Sequence, residues 1–300
     1  MSRRTLLSPE QRARLFGIPA DPAEMAKHYV LTAEDLALVR AKRRSSNRLG
    51  FAVQRCLLRY PGQGLGPDEH PPEAMIVFVA HQLECSPAAF GEYALRDQTR
   101  REHAVELQKS LHLRSFRLAD WRSCLQVGAN AAWATDRGEP IVAAMLAHLR
   151  AANVLVPTAA VLERIGFAAR ARARKRTFEV LADGLTDAAR EALDGLLTLD
   201  PAVRRTRFAW LRDYAESPAP SNMIALLDRL DYVRNLGVDA ERARRAHPAR
   251  LGRFLSEAAI MTVQHIADLE PARRTAILVA QTTELETGSQ MRCSPCSRST

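Results

Sequence analysis

Residues 40–62 read Arg40-Ala-Lys-Arg-Arg-Ser-Ser-Asn-Arg-Leu-Gly-Phe-Ala-Val-Gln-Arg-Cys-Leu-Leu-Arg-Tyr-Pro-Gly62. Asn47 can cap a helix over 48–60, and Pro61-Gly62 ends it. At about 100° per residue, Arg48, Arg55 and Arg59 fall within about 20° of one line. Leu49, Ala52, Val53, Cys56 and Tyr60 form an apolar stripe beside them. The pattern predicts a helix that buries one stripe and presents three guanidinium groups on another. Arg43 and Arg44, with Arg40, Lys42 and two serines, crowd its start. A helix N-terminus among cations and small donors is a phosphate seat. The plainer alternative is a solvated basic face on a surface helix.

The helical pattern continues on both sides. Ser8-Pro9 and Thr32 to Asp35 read as helix starts. Further helices are expected near 72–83, 95–112, 117–135, 140–152, 158–182, 186–197, 201–215, 220–236, 248–267 and 271–285. No series of alternating strands and no fixed-period repeat occurs. The fold class expected is all-α: tandem small, helix-turn-helix-like subdomains followed by a helical linker domain. Gly/Pro-rich residues 61–72 and the Pro/Ser break at 216–222 read as linkers. The boundaries expected are 1–62 and 72–178 for two basic DNA-binding subdomains, 179–285 for a connector or interaction domain, and 286–300 for a disordered tail.

Composition narrows the function. The 300 residues are 47% hydrophobic and 26% charged, an ordinary globular mixture. The longest unbroken apolar run, Ala74–Ala80, is far too short to span a membrane. The N-terminus has no apolar region of the secretory type. A cytoplasmic, nucleoid-associated location is the expectation. The formal net charge is +9, and it is segregated. Residues 1–60 carry +7, 61–90 carry −4, 91–178 carry +7 and 179–300 carry −1. Two basic blocks ahead of a neutral half suggest a polyanion-facing front. Of 43 basic residues 39 are arginine, whose fork suits phosphate and guanine, although a GC-rich genome gives the same bias.

Residues 163–176 hold the second basic feature, with Arg164, Arg170, Arg172, Arg174, Lys175 and Arg176. On a helix these cations lie on two faces spaced by alanine, which leaves little for a core to hold. A slim cationic helix fits a DNA groove, whereas a solvent-exposed connector is the plainer alternative. The run 140–182 reads as helix, tight connection, helix, and resembles the helix-turn-helix plan. Arg100 and Arg101, with Arg96, Lys109, Arg114 and Arg117, form a weaker set that Glu102 and Glu106 partly offset.

Catalytic and metal signals are absent from the motifs. No GxxxxGK[ST], GxGxxG or HExxH occurs, and the eight histidines are scattered. Cys56, Cys85 and Cys124 read as small core residues. Cys293-Ser-Pro-Cys296 has no second ligand pair, so no metal site is expected. No catalytic residue, cofactor or metal is expected.

These residues bring a family into view. Asn47-Arg-Leu-Gly-Phe-Ala-Val-Gln54 with Leu58-Arg-Tyr-Pro-Gly62 resembles the N-terminal segment of transposases of the Tn-three family. So do Arg3-Arg4 through Leu7-Ser8, Tyr29 with Asp35-Leu36, Thr99-Arg-Arg-Glu-His103, Leu149 through Arg164, and Leu227 through Gly237. The resemblance covers about residues 1–285. It implies helical DNA-binding domains that engage the terminal inverted repeats of a transposon. It also implies strand cutting and joining for replicative transposition, by an Asp-Asp-Glu triad in an RNase H-like domain far C-terminal. No residue here matches that triad. The polar sequence after Glu286 departs from the family, which suggests a truncated or frameshifted product without strand transfer. The partners expected are double-stranded transposon-end DNA and an intact transposase that the chain could inhibit by pairing.

Overall fold

The computed structural model describes residues 5–65, 69–95, 97–201, 204–213, 219–239 and 241–293. Arg3-Arg4, Arg96 and Cys296 lie outside them. Local signals set most helix starts. Ser8 and Gln11 close a reciprocal capping box on α1 (Pro9–Phe16), and Asp21 caps α2 (Pro22–Tyr29). Thr32 and Asp35 form the same reciprocal box on α3 (Ala33–Arg40). Helix α4 (Ser45–Arg59) starts earlier than the sequence implied. Arg44 holds the N-cap position, and Asn47 lies inside the first turn. Then come α5 (Glu73–Gln82), α6 (Ala89–Ala94), α7 (Asp97–Ser110), α8 (Leu118–Ala134), α9 (Gly138–Ala151) and α10 (Ala159–Ala182).

Packing divides the chain into two units, one of 1–131 and 136–169, the other of 132–135 and 170–300. The sequence reading set boundaries near 62–72 and at 178, and the packing units meet at 131–136 and 169–170. In unit 1, α4 packs on α2 and α3 and also on α5, α7 and, most extensively, α6, so no gap follows residue 62. The residues after α4 are also stitched in. Val156 N–H donates to the Gly62 carbonyl at 3.0 Å, and Gln63 Nε2 donates to the Pro157 carbonyl at 2.8 Å.

The centre of unit 1 is α4, buried without a break from Leu49 to Leu58. Such a helix has no solvent face, and neighbours must cover it all round. Gly50 permits one of those approaches. A Cβ there would run into the Tyr93 ring of α6. Several polar groups caught inside are paired, although the buried Tyr29 hydroxyl has no partner among the described residues. Gln54 Nε2 donates to the Tyr93 hydroxyl at 2.7 Å, which lies 3.2 Å from His103 Nδ1. The Arg55 guanidinium is met by fully buried Asp35, which also takes Arg59. Ion pairs Arg12–Glu163 at 2.6 Å and Arg14–Glu139 fasten α1 to α10 and α9.

Unit 2 holds α11 (Asp187–Gly195), a two-stranded antiparallel hairpin of β1 (Leu199–Asp200) and β2 (Arg205–Thr206), α12 (Arg207–Arg212), α13 (Pro220–Arg234), α14 (Glu241–Arg244), α15 (Pro248–Ile260), α16 (Val263–Ala267) and α17 (Pro271–Cys293). The hairpin replaces the first part of the helix expected at 201–215. Here too one helix is enclosed. Residues Ala276–Ala280 of α17 are buried on every side, against α11, α13, α14 and α15. Thr282 and Thr283 turn their hydroxyls back onto the Leu278 and Val279 carbonyls, which satisfies them without water. Helix α17 runs to Cys293, past the expected end at 285. Residues 294–300 of the expected tail lie outside the described residues. The fold is all-α with this one short hairpin among the described residues, as the sequence implied.

The packing sets three measurable outcomes. Gly50→Ala should cost about 1–3 kcal/mol or more, because ring and backbone must separate; urea denaturation measures it. Asp35→Asn should cost about 3–5 kcal/mol, since it strands a buried guanidinium. Burial, and next the charge on Lys42, hold the His103 imidazole below its ordinary range. The folded chain therefore refuses a proton that the unfolded chain accepts. Stability is full above the ordinary histidine value of about 6.5 and falls with pH until His103 itself titrates. A Tm-against-pH series should flatten over that interval in His103→Gln.

Candidate nucleic-acid interface

The sequence places six of its proposed contacts in α4 or just before it, and the structure sorts them. The turn from α3 into α4 is short, residues 41–44. Arg44 at the N-cap offers no side-chain acceptor, so no side chain caps the first-turn amides of α4. Arg48 closes the turn: its Nε donates to the Lys42 carbonyl at 2.7 Å and its Nη2 to the Arg40 carbonyl at 3.4 Å. Lys42 reaches Glu106 at 2.6 Å and lies over the Phe51 ring, so its charge is already matched. What remains outside are Arg40, Arg43 and Arg44, all exposed and without a carboxylate partner among the described residues. Asn47 is half-buried, and its Oδ1 has no partner.

Two expected contacts, Arg55 and Arg100, are buried, and a third, Arg59, is exposed but tied to internal partners. Arg55 keeps only 9% of its side chain exposed and pairs with Asp35. Arg59 shares that carboxylate and donates to the Val30 carbonyl at 2.9 Å. Burial pushes the Asp35 carboxyl up, but hydrogen bonds from Arg59, the Thr32 amide and Arg55 outweigh it and hold the group below its usual range. Arg48, Arg55 and Arg59 therefore do not form one free stripe. The line found at about 100° per residue is real, but α4 has no outer face along most of its length. Arg100 is buried at 8% exposure, whereas Arg101 is exposed. Local spacing assigns Asp35 only a capping role. Its partners lie 20 and 24 residues away, beyond the reach of any such signal.

Helix α10 carries the second group. Contrary to the expectation from its alanines, it has a buried stripe. Leu162, Ile165 and Ala169 lie within unit 1, and Ala173, Thr177 and Leu181 within unit 2. Alanine is small enough for close helix approach and still removes apolar surface from water. Arg164 of unit 1 is exposed. In unit 2, Arg172, Lys175 and Arg176 are exposed, while Arg170 and Arg174 are half-buried. Lys175 faces Glu179 at 3.8 Å, a weak exposed pair. Arg176 stacks over Trp133 with 4.5 Å to the ring centroid, which fixes its guanidinium and leaves its edges open.

Among the described residues no three His, Cys, Asp or Glu side chains converge as a metal site. Burial pushes the Cys56 thiol up to about 12 and Cys124 up to about 11, which disfavours the reactive thiolate. No helix among the described residues is long and apolar enough to cross a membrane.

Comparison with known proteins agrees with this organisation. A family model described as "Domain of unknown function (DUF4158)" matches residues 6–169, and its end coincides with the boundary of unit 1. The transposase for transposon Tn501 of Pseudomonas aeruginosa is 37% identical over 93% of this chain and 28% of its own length. The transposase for transposon Tn21 of Escherichia coli is 37% identical over 95% of this chain and 29% of its own length. The transposase for transposon Tn1546 of Enterococcus faecium is 29% identical over 83% of this chain. The chain thus spans somewhat more than a quarter of the length of the first two. It belongs to the DUF4158 family, and its sequence is that of the N-terminal region of a Tn3-type transposase.

Proposed function

We propose that the chain binds double-stranded DNA at the terminal inverted repeats of a transposon, as the N-terminal part of a replicative transposase. The observation that carries this reading is the open turn at the start of α4. Arg40, Arg43 and Arg44 stand there around an uncapped helix N-terminus, with no carboxylate to neutralise them among the described residues. Three unpaired cations on a short turn repel one another, and a phosphate chain relieves that repulsion. Amides at a helix start add donors aimed at an anion. Arg48 holds the turn in shape, so its role is positional as well as electrostatic. In unit 1 the exposed Arg164 and Arg101 supply further contacts, and in unit 2 the exposed Arg172, Lys175 and Arg176 supply another. Arg55 and Arg100 act from within and Arg59 from the surface, by fixing the helices that carry the exposed groups. Phosphate contacts of this type set register on the duplex, and base-edge contacts by the same arginines supply sequence preference.

A second reading concerns protein rather than DNA. Ile224 and Leu227 on α13 are 63% and 47% exposed, in the half of the chain that carries no excess positive charge. That face suits pairing with an intact transposase, which the chain would then inhibit. Size-exclusion chromatography with light scattering should show a mixed species when the two are combined. A chain that stays monomeric beside the full-length enzyme rules the pairing out.

For the DNA reading, mobility-shift titration at fixed salt should show tighter binding to inverted-repeat duplex than to a scrambled duplex. Equal affinity would remove the claim of recognition. Arg40→Gln with Arg43→Gln and Arg44→Gln should weaken binding to both duplexes. The slope of log K against log salt should become shallower by nearly 3, about 0.9 for each phosphate that is no longer neutralised.

A further inference from the structure

A basic-aromatic patch in unit 2 lies outside every contact considered so far. It is built from the hairpin β1–β2, α12 and the neighbouring face of α13. Four arginines, Arg204, Arg205, Arg207 and Arg212, fall within nine residues, without an acidic residue among them. Two of the four are engaged internally. Arg205 donates to Asp213 at 2.7 Å and to the Ala209 carbonyl at 3.0 Å. Arg212 donates to the Met261 carbonyl at 3.1 Å and to the Ala259 carbonyl. Arg229, from α13, likewise directs its donors to the carbonyls of Trp210, Ala225 and Asp213.

The other two are not engaged in this way. Arg207 is exposed, and none of its donors meets a carboxylate or carbonyl among the described residues. Its guanidinium is propped instead on two rings, 5.6 Å from Trp210 and 5.7 Å from Tyr232. Those rings meet edge to face at 5.6 Å, and Arg229 lies over Trp210 at 5.0 Å, so the platform is itself fixed. Arg204 is exposed at φ 50°, a left-handed conformation that a long side chain rarely takes. It too has no carboxylate partner among the described residues.

We infer that Arg204 and Arg207 form a phosphate-backbone contact on unit 2, within the half of the chain whose overall charge hides it. A guanidinium stacked on rings keeps its N–H edges free in a fixed plane, which suits a bidentate phosphate. It also loses little side-chain freedom on binding, because the rings already hold it. The contact carries no base preference of its own. It rests on the reading that the chain binds duplex DNA, and it extends that footprint beyond the part matched by the family model.

The test is the salt dependence of binding to a scrambled duplex. Arg204→Gln with Arg207→Gln should make the slope of log K against log salt shallower by about 2. Arg244→Gln with Arg253→Gln removes two cations of the same unit that already face Glu241 and Glu257, and should leave the slope as it is. If the Arg207 change lowers thermal stability, Arg204→Gln alone decides, with an expected change of about 1. Arg207→Lys should restore part of the loss, since the charge returns without the planar fork. An unchanged slope in both Arg204 variants overturns the contact while the α4 reading stands, and leaves an acidic protein surface as the occupant of the patch. Failure of the unaltered chain to bind any duplex overturns both.

Discussion

Unit 1 depends on the enclosure of α4. From Leu49 to Leu58 this helix gives no residue to water, and every side chain on it must find its partner inside the protein. For the apolar ones that is simple. For Arg55 it is a severe constraint, because an unpaired charge cannot be held in a dry interior. Asp35 resolves it, and in doing so fixes α3 against α4. The same carboxylate takes Arg59, so one buried acid sets the angle of the helix pair whose open turn presents Arg40, Arg43 and Arg44. The exposed cations are thus held at the end of a rigid element rather than on a loose arm.

Unit 2 repeats the principle with less charge. Helix α17 is enclosed through Ala276–Ala280, and threonine hydroxyls bond back to its own carbonyls. Its arginines fall into two groups. Arg205, Arg212 and Arg229 cap carbonyls or pair with carboxylates, and act as structural ties. Arg204 and Arg207 are exposed, and Arg207 is supported by rings with its donors directed outward. Net charge near zero over residues 179–300 therefore conceals an uneven surface, since a sum cannot distinguish a matched cation from a free one.

The family match and unit 1 end at the same residue. Residues 6–169 form one recognisable module, and the transposase relatives continue through unit 2. The division falls within α10, after Ala169.

Much of this was legible in the residues alone. Capping boxes at Ser8 and Thr32, prolines at helix starts and the 3.6-residue period determined where most helices run, because those signals act over a single turn of chain. The segregation of charge pointed to a polyanion partner, and the Asn47–Gln54 motif resembled the family. Tertiary structure alone decided which cations are free. Arg43 and Arg55 are the same residue type twelve positions apart, yet one stands in water and the other is locked to Asp35. That difference arises from helices brought together across the chain, and burial and long-range pairing leave no mark on local spacing. The hairpin at 199–206 escaped the helical reading for a related reason: two-residue strands are too short to show a period, and their partner across the turn defines them.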